Sequence, residues 1–193
     1  MGDVDPIGDL KRQHEVLQAE MRGIMEMARE LRGEAPQQAR QSFGERLVVF
    51  RQALDLHCLR EEEALFPEAR ELATAPARSA GAEQADLLSR FLEGEGEDDM
   101  RAHSLVSARM EQISRLLGGE MNDQAVTKLR AVASAAQSLL ASHCAKEDTM
   151  IFPIIEQALT PDQMRWVWER MQAVRTGSEA ERKGAMGMRR LGE

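Results

Sequence analysis

Two stretches of eleven residues in this chain are near copies of each other. The first, residues 57–67, reads HCLREEEALFP, and the second, residues 143–153, reads HCAKEDTMIFP. His, Cys, Glu, Phe and Pro recur in register, with a basic residue before the first shared Glu and an acidic residue after it. Each copy therefore carries His-x-x-x-Glu, which places both side chains on one face of an α-helix, with Cβ atoms about 5–6 Å apart. Imidazole beside carboxylate, twice, is a ligand set for a pair of transition-metal ions.

All four histidines of the chain belong to one pattern. His14 and His103 are the two histidines outside the repeats, and each precedes one copy by a similar interval. The order is therefore H…HxxxE…H…HxxxE. The candidate metal ligands are His14, His57, Glu61, His103, His143 and Glu147.

The apolar residues predict helices. They recur at steps of three and four within residues 7–28, 47–65, 103–117 and 129–154, and the alternation typical of β-strands is absent. The fourth stripe is predicted to include Val132, Leu139, Met150 and Ile154. Every candidate ligand falls on such a stripe, so we expect all of them in the interior. The fold class predicted is all-α: an antiparallel up-and-down four-helix bundle with an additional C-terminal helix that starts at Thr160–Gln163.

The domain organisation follows from the same pattern. Residues 1–175 are expected to form one domain, and residues 176–193, rich in Gly, Arg and Glu, a mobile tail. Residues 74–98 connect the two halves and are expected to hold a short helix around residues 82–92. Pro67 and Pro153 each follow the repeat Glu by six residues, so we expect a kink or a helix end at both.

A single buried histidine is usually an ordinary core residue, and a single HxxxE is a common surface pair. Here two carboxylates are predicted to be buried with no Lys or Arg on the inward stripes, which is prohibitively costly without cations. The mixed nitrogen and oxygen set suits two irons bridged by both carboxylates and an oxo or hydroxo group, although zinc or manganese could occupy it in vitro. A single zinc ion fits less well, because the six candidate ligands exceed its usual four. The ferritin-like Glu-x-x-His arrangement is excluded, since the residues three before the histidines are Lys11, Leu54, Met100 and Leu140.

These residues resemble the hemerythrin-like, HHE cation-binding domains over about residues 5–158. The resemblance implies a non-haem di-iron centre in a four-helix bundle. In the family's pattern His14 and His57 would hold one iron, His103 and His143 the other, and Glu61 and Glu147 would bridge them. An open position for O₂, peroxide or nitric oxide would remain.

The sequence departs from the oxygen-carrying hemerythrins that it resembles. Those proteins place a second histidine four residues before the third-helix ligand, where this chain has Asp99. Asp99 is either an extra ligand or a solvated residue of an acidic run. Cys58 and Cys144 are expected to pack as small apolar residues, with a redox role as the alternative. Acidic residues next to the repeat glutamates are expected to be solvated or to orient imidazoles.

Composition narrows the function further. The net charge of −8 argues against a nucleic-acid surface, and no apolar run is long enough to cross a membrane. Without a visible secretory signal we expect a cytoplasmic protein. The interpretation is a di-iron protein that binds or reacts with O₂, peroxide or nitric oxide in oxidative or nitrosative stress, with catalase-like activity as one form of it. Whether it is an enzyme stays open. The alternatives are a non-enzymatic iron or oxygen sensor that signals to an unidentified protein partner, and an interaction module in which the metal only stabilises the fold.

Overall fold

The computed structural model describes residues 4–74 and 101–174, and every regular element within these ranges is helical. The prediction of an all-α chain is confirmed for this part. The candidate ligand Asp99, the expected helix around residues 82–92 and the tail at residues 176–193 lie outside the described residues. The helices are α1 (Pro6–Glu30), α2 (Gln37–Arg60), α3 (Phe66–Thr74), α4 (helical over residues 101–118), α5 (Asp123–Lys146), α6 (Phe152–Ala158) and α7 (Pro161–Ala173).

Side-chain caps fix where three of the helices begin. Asp5 accepts a hydrogen bond of 2.7 Å from the Gly8 N–H at the start of α1. Asn122 caps α5 in the same way. At the start of α7 the side chains of Thr160 and Gln163 each accept a hydrogen bond from the other's backbone N–H. The sequence predicted this cap, which satisfies N–H groups that have no partner within the helix. None of the described helices has the length and apolar character that a membrane crossing requires.

Two π-helical turns, Glu61–Leu65 and Glu147–Ile151, join α2 to α3 and α5 to α6. A kink or a helix end was expected at Pro67 and Pro153; the chain stays helical through both, and the regular α-helix is interrupted by a π turn just before each proline. In each turn the N–H just before the proline bonds the carbonyl five residues back, that of the repeat Glu. Proline has no N–H and crowds the carbonyl four residues before it. The wider turn accommodates this while the helix continues.

Helices α2 and α5 both pack against α1, and α7 packs against α1 and the first π turn. Two arginines join helix starts to helix ends. Arg130 on α5 donates hydrogen bonds of 2.8–2.9 Å to three carbonyls at the end of α1. Arg40 on α2 donates to the carbonyls of Leu117 and Gly119 at the end of α4, at 3.4 and 3.1 Å. These contacts place the start of α5 beside the end of α1 and the start of α2 beside the end of α4.

The apolar core has two clusters. One contains Leu17, Leu54 and Leu140 with their neighbours, and the other contains Leu10, Leu65 and their neighbours. Along α1, α2 and α5 the candidate ligands lie where the residues of one cluster give way to those of the other. The polar residues therefore form a layer with apolar packing on both sides.

The first three predicted stripes are buried throughout, but the fourth differs from the prediction. Val132, Leu139 and Ile154 are half-buried, and Met150 is 51% exposed. The buried positions are Val126, Leu129, Ala133, Ala136, Leu140, His143, Cys144, Glu147, Ile151, Phe152 and Ile155. The prediction placed Met150, three residues after Glu147, on the buried face. Because a π turn holds more residues than an α-helical turn, the residue four after Glu147, Ile151, is buried instead.

Replacing Phe50 by Ala should destabilise the fold by about 3–5 kcal/mol, because its fully buried ring leaves a cavity in the larger cluster. The neighbouring Val49 is 59% exposed, so Val49→Ala should change stability by no more than about 0.5 kcal/mol. Urea denaturation of both variants measures the difference. Equal losses would mean that the ring is not packed as described.

Candidate metal centre

The six predicted ligands come together in one buried cluster. His14 is supplied by α1, His57 by α2 and His103 by α4, while His143 comes from the last turn of α5. Glu61 and Glu147 are the first residues of the two π turns. Such turns inside α-helices often occur at functional sites. All six side chains are buried, and two overlapping groups of four have ligand atoms within 4.8 Å of one another. Such groups could hold a metal ion.

The four imidazoles form two pairs. The Nε2 atoms of His14 and His57 lie 3.0 Å apart, and those of His103 and His143 lie 2.8 Å apart. Both pairs have edge-on rings, with centroids 4.7 and 4.5 Å apart. All four Nε2 atoms therefore converge on the same small volume from two sides.

The two carboxylates each span both histidine pairs. Glu61 places Oε1 3.2 Å from His57 Nε2 and Oε2 3.3 Å from His103 Nε2. Glu147 places Oε2 3.0 Å from His14 Nε2 and 3.1 Å from His143 Nε2. One carboxylate in contact with two separate imidazole pairs is the arrangement expected of a group shared between two cations.

The opposite ring nitrogens identify the tautomers. His14 Nδ1 lies 2.8 Å from Asp148 Oδ1, and His103 Nδ1 lies 3.2 Å from Glu62 Oε1. Carboxylates only accept hydrogen bonds, so both Nδ1 atoms donate. The Nδ1 of His57 lies 3.3 Å from Oε1 of Gln13, whose amide nitrogen donates to Asp9. That second bond fixes the orientation of the amide and makes its oxygen the acceptor.

A neutral imidazole that donates through Nδ1 has a lone pair on Nε2. With both rings neutral, the close Nε2 atoms of His14 and His57 present lone pairs to each other, and both buried Glu61 oxygens lack a hydrogen-bond partner of good geometry among the described residues. Neighbouring ligands at right angles, each about 2.1 Å from a metal, lie about 3.0 Å apart. The donor set thus fits cations by chemistry and by spacing.

The electrostatics of the cluster call for positive charge. Burial lowers the pKa of His57 to about 3, so that ring is neutral at pH 7 and able to act as a ligand. Burial alone would raise the pKa of Glu61, but the neighbouring His103, which stays protonated to a much higher pH than His57, outweighs burial and keeps the carboxyl ionised at pH 7. Burial also opposes charge on His103, yet contacts with Cys58 and Glu61 raise its pKa to about 12. A proton on His103 is one source of compensating charge, and a metal cation is another.

Residues around the cluster limit its access to water. The ring of Phe152, the recurring Phe of the second repeat, stacks on His14 with centroids 5.5 Å apart and planes 12° from parallel. Cys58 and Cys144 are reduced and buried in the larger apolar cluster, as expected of packing residues. Burial raises the pKa of both thiols, that of Cys144 to about 12, so neither is ionised at neutral pH.

Sequence reasoning placed all six cluster residues and proposed that acidic neighbours orient imidazoles, which Glu62 and Asp148 are positioned to do. It did not single out Gln13. The residue before His103 is Ala102, so the repeat gives no matching signal for Gln13. The sequence did offer one signal, since Gln13 lies four residues after Asp9 and its side-chain amide donates to the Asp9 carboxylate. Sequence comparison adds no assignment, since no protein-family model and no curated protein matches the chain.

Replacing Asp148 by Ala should weaken metal binding roughly 10–100-fold, because His14 loses the acceptor that fixes its ring. The next residue provides the control. Thr149 is exposed and its hydroxyl donates to the carbonyl of Ala145, one turn earlier in the same helical stretch, so Thr149→Ala should bind metal as the wild type does. Competition with a chromophoric chelator measures both affinities. Equal affinities for the two variants would show that Asp148 does not support the site.

Proposed function

We propose that this chain is a hemerythrin-like, non-haem di-iron protein that binds or reacts with O₂, peroxide or nitric oxide. The observation that carries the proposal is the convergence of four imidazole Nε2 atoms and two carboxylates in one buried layer, with the outward nitrogens of three of the rings held by acceptors. In the part of the chain that the structure describes, no Lys or Arg is among the ion-pair partners of Glu61, which supports bound cations as the charge that compensates the buried carboxylates.

The finer architecture belongs to the same proposal. Helices α1, α2, α4 and α5 are assigned to an antiparallel up-and-down four-helix bundle, with α7 as the additional helix across its end. The packing of α1 on α2 and α5 supports this, as do the arginine contacts that place helix starts beside helix ends. Bundles of this kind build metal sites from inward side chains of facing helices.

The distances support the roles that we propose for the six residues. His14 and His57 would hold one iron, His103 and His143 the other, and the two glutamates would bridge. The Nε2 separations of 3.0 and 2.8 Å within the pairs support this division. The carboxylate of Glu61, with one oxygen beside each pair, supports bridging. The six candidate ligands together exceed the four typical of a single zinc ion, and their mixed nitrogen and oxygen set suits a pair of irons.

When bound, the iron pair would supply redox chemistry and open positions for a small oxidant. The protein's part is to hold and shield the ligands. Asp148, Gln13 and Glu62 fix the rings of His14, His57 and His103. Phe152 covers His14, and the two apolar clusters keep bulk water from the layer. We place this chemistry in a cytoplasmic response to oxidative or nitrosative stress, in which peroxide removal is the enzymatic form. The sensor alternative depends on acidic and tail segments outside the described residues.

The function is tested by the visible spectrum of the iron-loaded protein, reduced and then exposed separately to O₂, hydrogen peroxide and nitric oxide. We expect charge-transfer bands that change with at least one of them, because the irons retain open positions. Glu61→Gln should abolish the bands, since a neutral amide cannot bridge two cations as a carboxylate does. The control is Glu63→Gln, two residues away at an exposed position. A folded wild-type protein that takes up no iron would refute the proposal.

A further inference from the structure

A cavity of about 650 Å³ lies between α2 and α4 and ends at the candidate metal centre. Its lining includes the half-buried or exposed Arg51, Gln52 and Ser107, and the buried Cys58 and His103. The side chain of His103 is 6% exposed, whereas those of His14, Glu61 and Glu147 are fully buried. The cavity therefore reaches one edge of the cluster, at the ring of one ligand.

The other half of the cluster is covered in a different way. Phe152 stacks on the face of His14, and Asp148 contacts its Nδ1. The His103 ring also contacts an acidic residue, Glu62, but that carboxylate is itself part of the cavity wall. The two halves of the repeat are thus equivalent in their ligands and unequal in their access.

The cavity wall indicates the chemistry of what enters. It offers a guanidinium, an amide, hydroxyls and a thiol, together with the carboxylates of Asp55 and Glu62. Carboxylates outnumber the guanidinium, and Arg51 already pairs with Glu111 at 3.6 Å, so a small anion is disfavoured. O₂ and nitric oxide gain little from such a wall because they form only weak hydrogen bonds. An uncharged molecule that both donates and accepts hydrogen bonds suits it best.

We propose that this cavity is the port and binding site through which small uncharged hydroperoxides, hydrogen peroxide and short alkyl hydroperoxides, reach the His103 side of the centre. The inference rests on the proposed di-iron function and narrows its substrate class. The volume lies in the range of small-molecule sites and is far larger than hydrogen peroxide requires, so it accommodates a short alkyl group. A hydroperoxide donates from its O–H and accepts at both oxygens, which matches the carboxylates and hydroxyls of the wall.

The test fills the cavity without touching a ligand. Ser107 lines it and is half-buried, while the adjacent Ala108 is exposed and does not line it. In iron-loaded protein, Ser107→Trp should slow reaction with tert-butyl hydroperoxide by about tenfold or more, and Ala108→Trp should not. A second readout does not depend on iron chemistry. Ser107→Trp should equally slow modification of Cys58 by methyl methanethiosulfonate, measured by peptide mass spectrometry.

Iron content and thermal unfolding are measured for both variants. If Ser107→Trp loads less iron or is unstable, Gln52→Trp at the exposed rim replaces it, with the exposed Val49 changed to Trp as its control. If a variant with Trp in the cavity reacts with tert-butyl hydroperoxide and is modified at Cys58 at wild-type rates, the cavity is not the port, and the proposed di-iron function is unaffected. A wild-type protein that holds iron, reacts with O₂ or nitric oxide and ignores every hydroperoxide would overturn the assigned substrate. A wild-type protein that takes up no iron would overturn the proposed function itself.

Discussion

The structure depends on the burial of two carboxylates and four imidazoles between two apolar clusters. Removing Glu61 and Glu147 from water is costly unless positive charge is placed beside them. The ion pairs of Glu61 among the described residues all come from histidines. Metal cations in this layer would turn a destabilising group of residues into a cross-link of α1, α2, α4 and α5, so that folding and metal binding are linked.

The two copies of the repeat produce the same local structure on two helices. In each copy the π turn begins at the Glu, and the next residue, Glu62 or Asp148, contacts the Nδ1 of a histidine on another helix. The recurring proline accounts for the turn, because its ring and missing N–H disfavour an ordinary α-helical turn there. The motif thus specifies a ligand pair, a widened helical turn and a support for a third ligand.

The sequence was sufficient to predict the helical class and the six cluster residues, because their spacing matches the helical period and every histidine takes part in one pattern. It could not predict the π turns. These turns change which residues face the interior, so Met150 was predicted to be buried but is exposed. Gln13 was missed because its role depends on the distance between α1 and α2, which no local pattern encodes. The cavity beside His103 likewise arises from packing between helices that are distant in sequence.

The most direct test of this account is a crystal structure of the iron-loaded protein with anomalous differences measured on both sides of the iron absorption edge. The account predicts two iron peaks in the polar layer, one beside the His14–His57 pair and one beside the His103–His143 pair, with Glu61 between them. A single peak, or iron only at the surface with the layer empty, would contradict it.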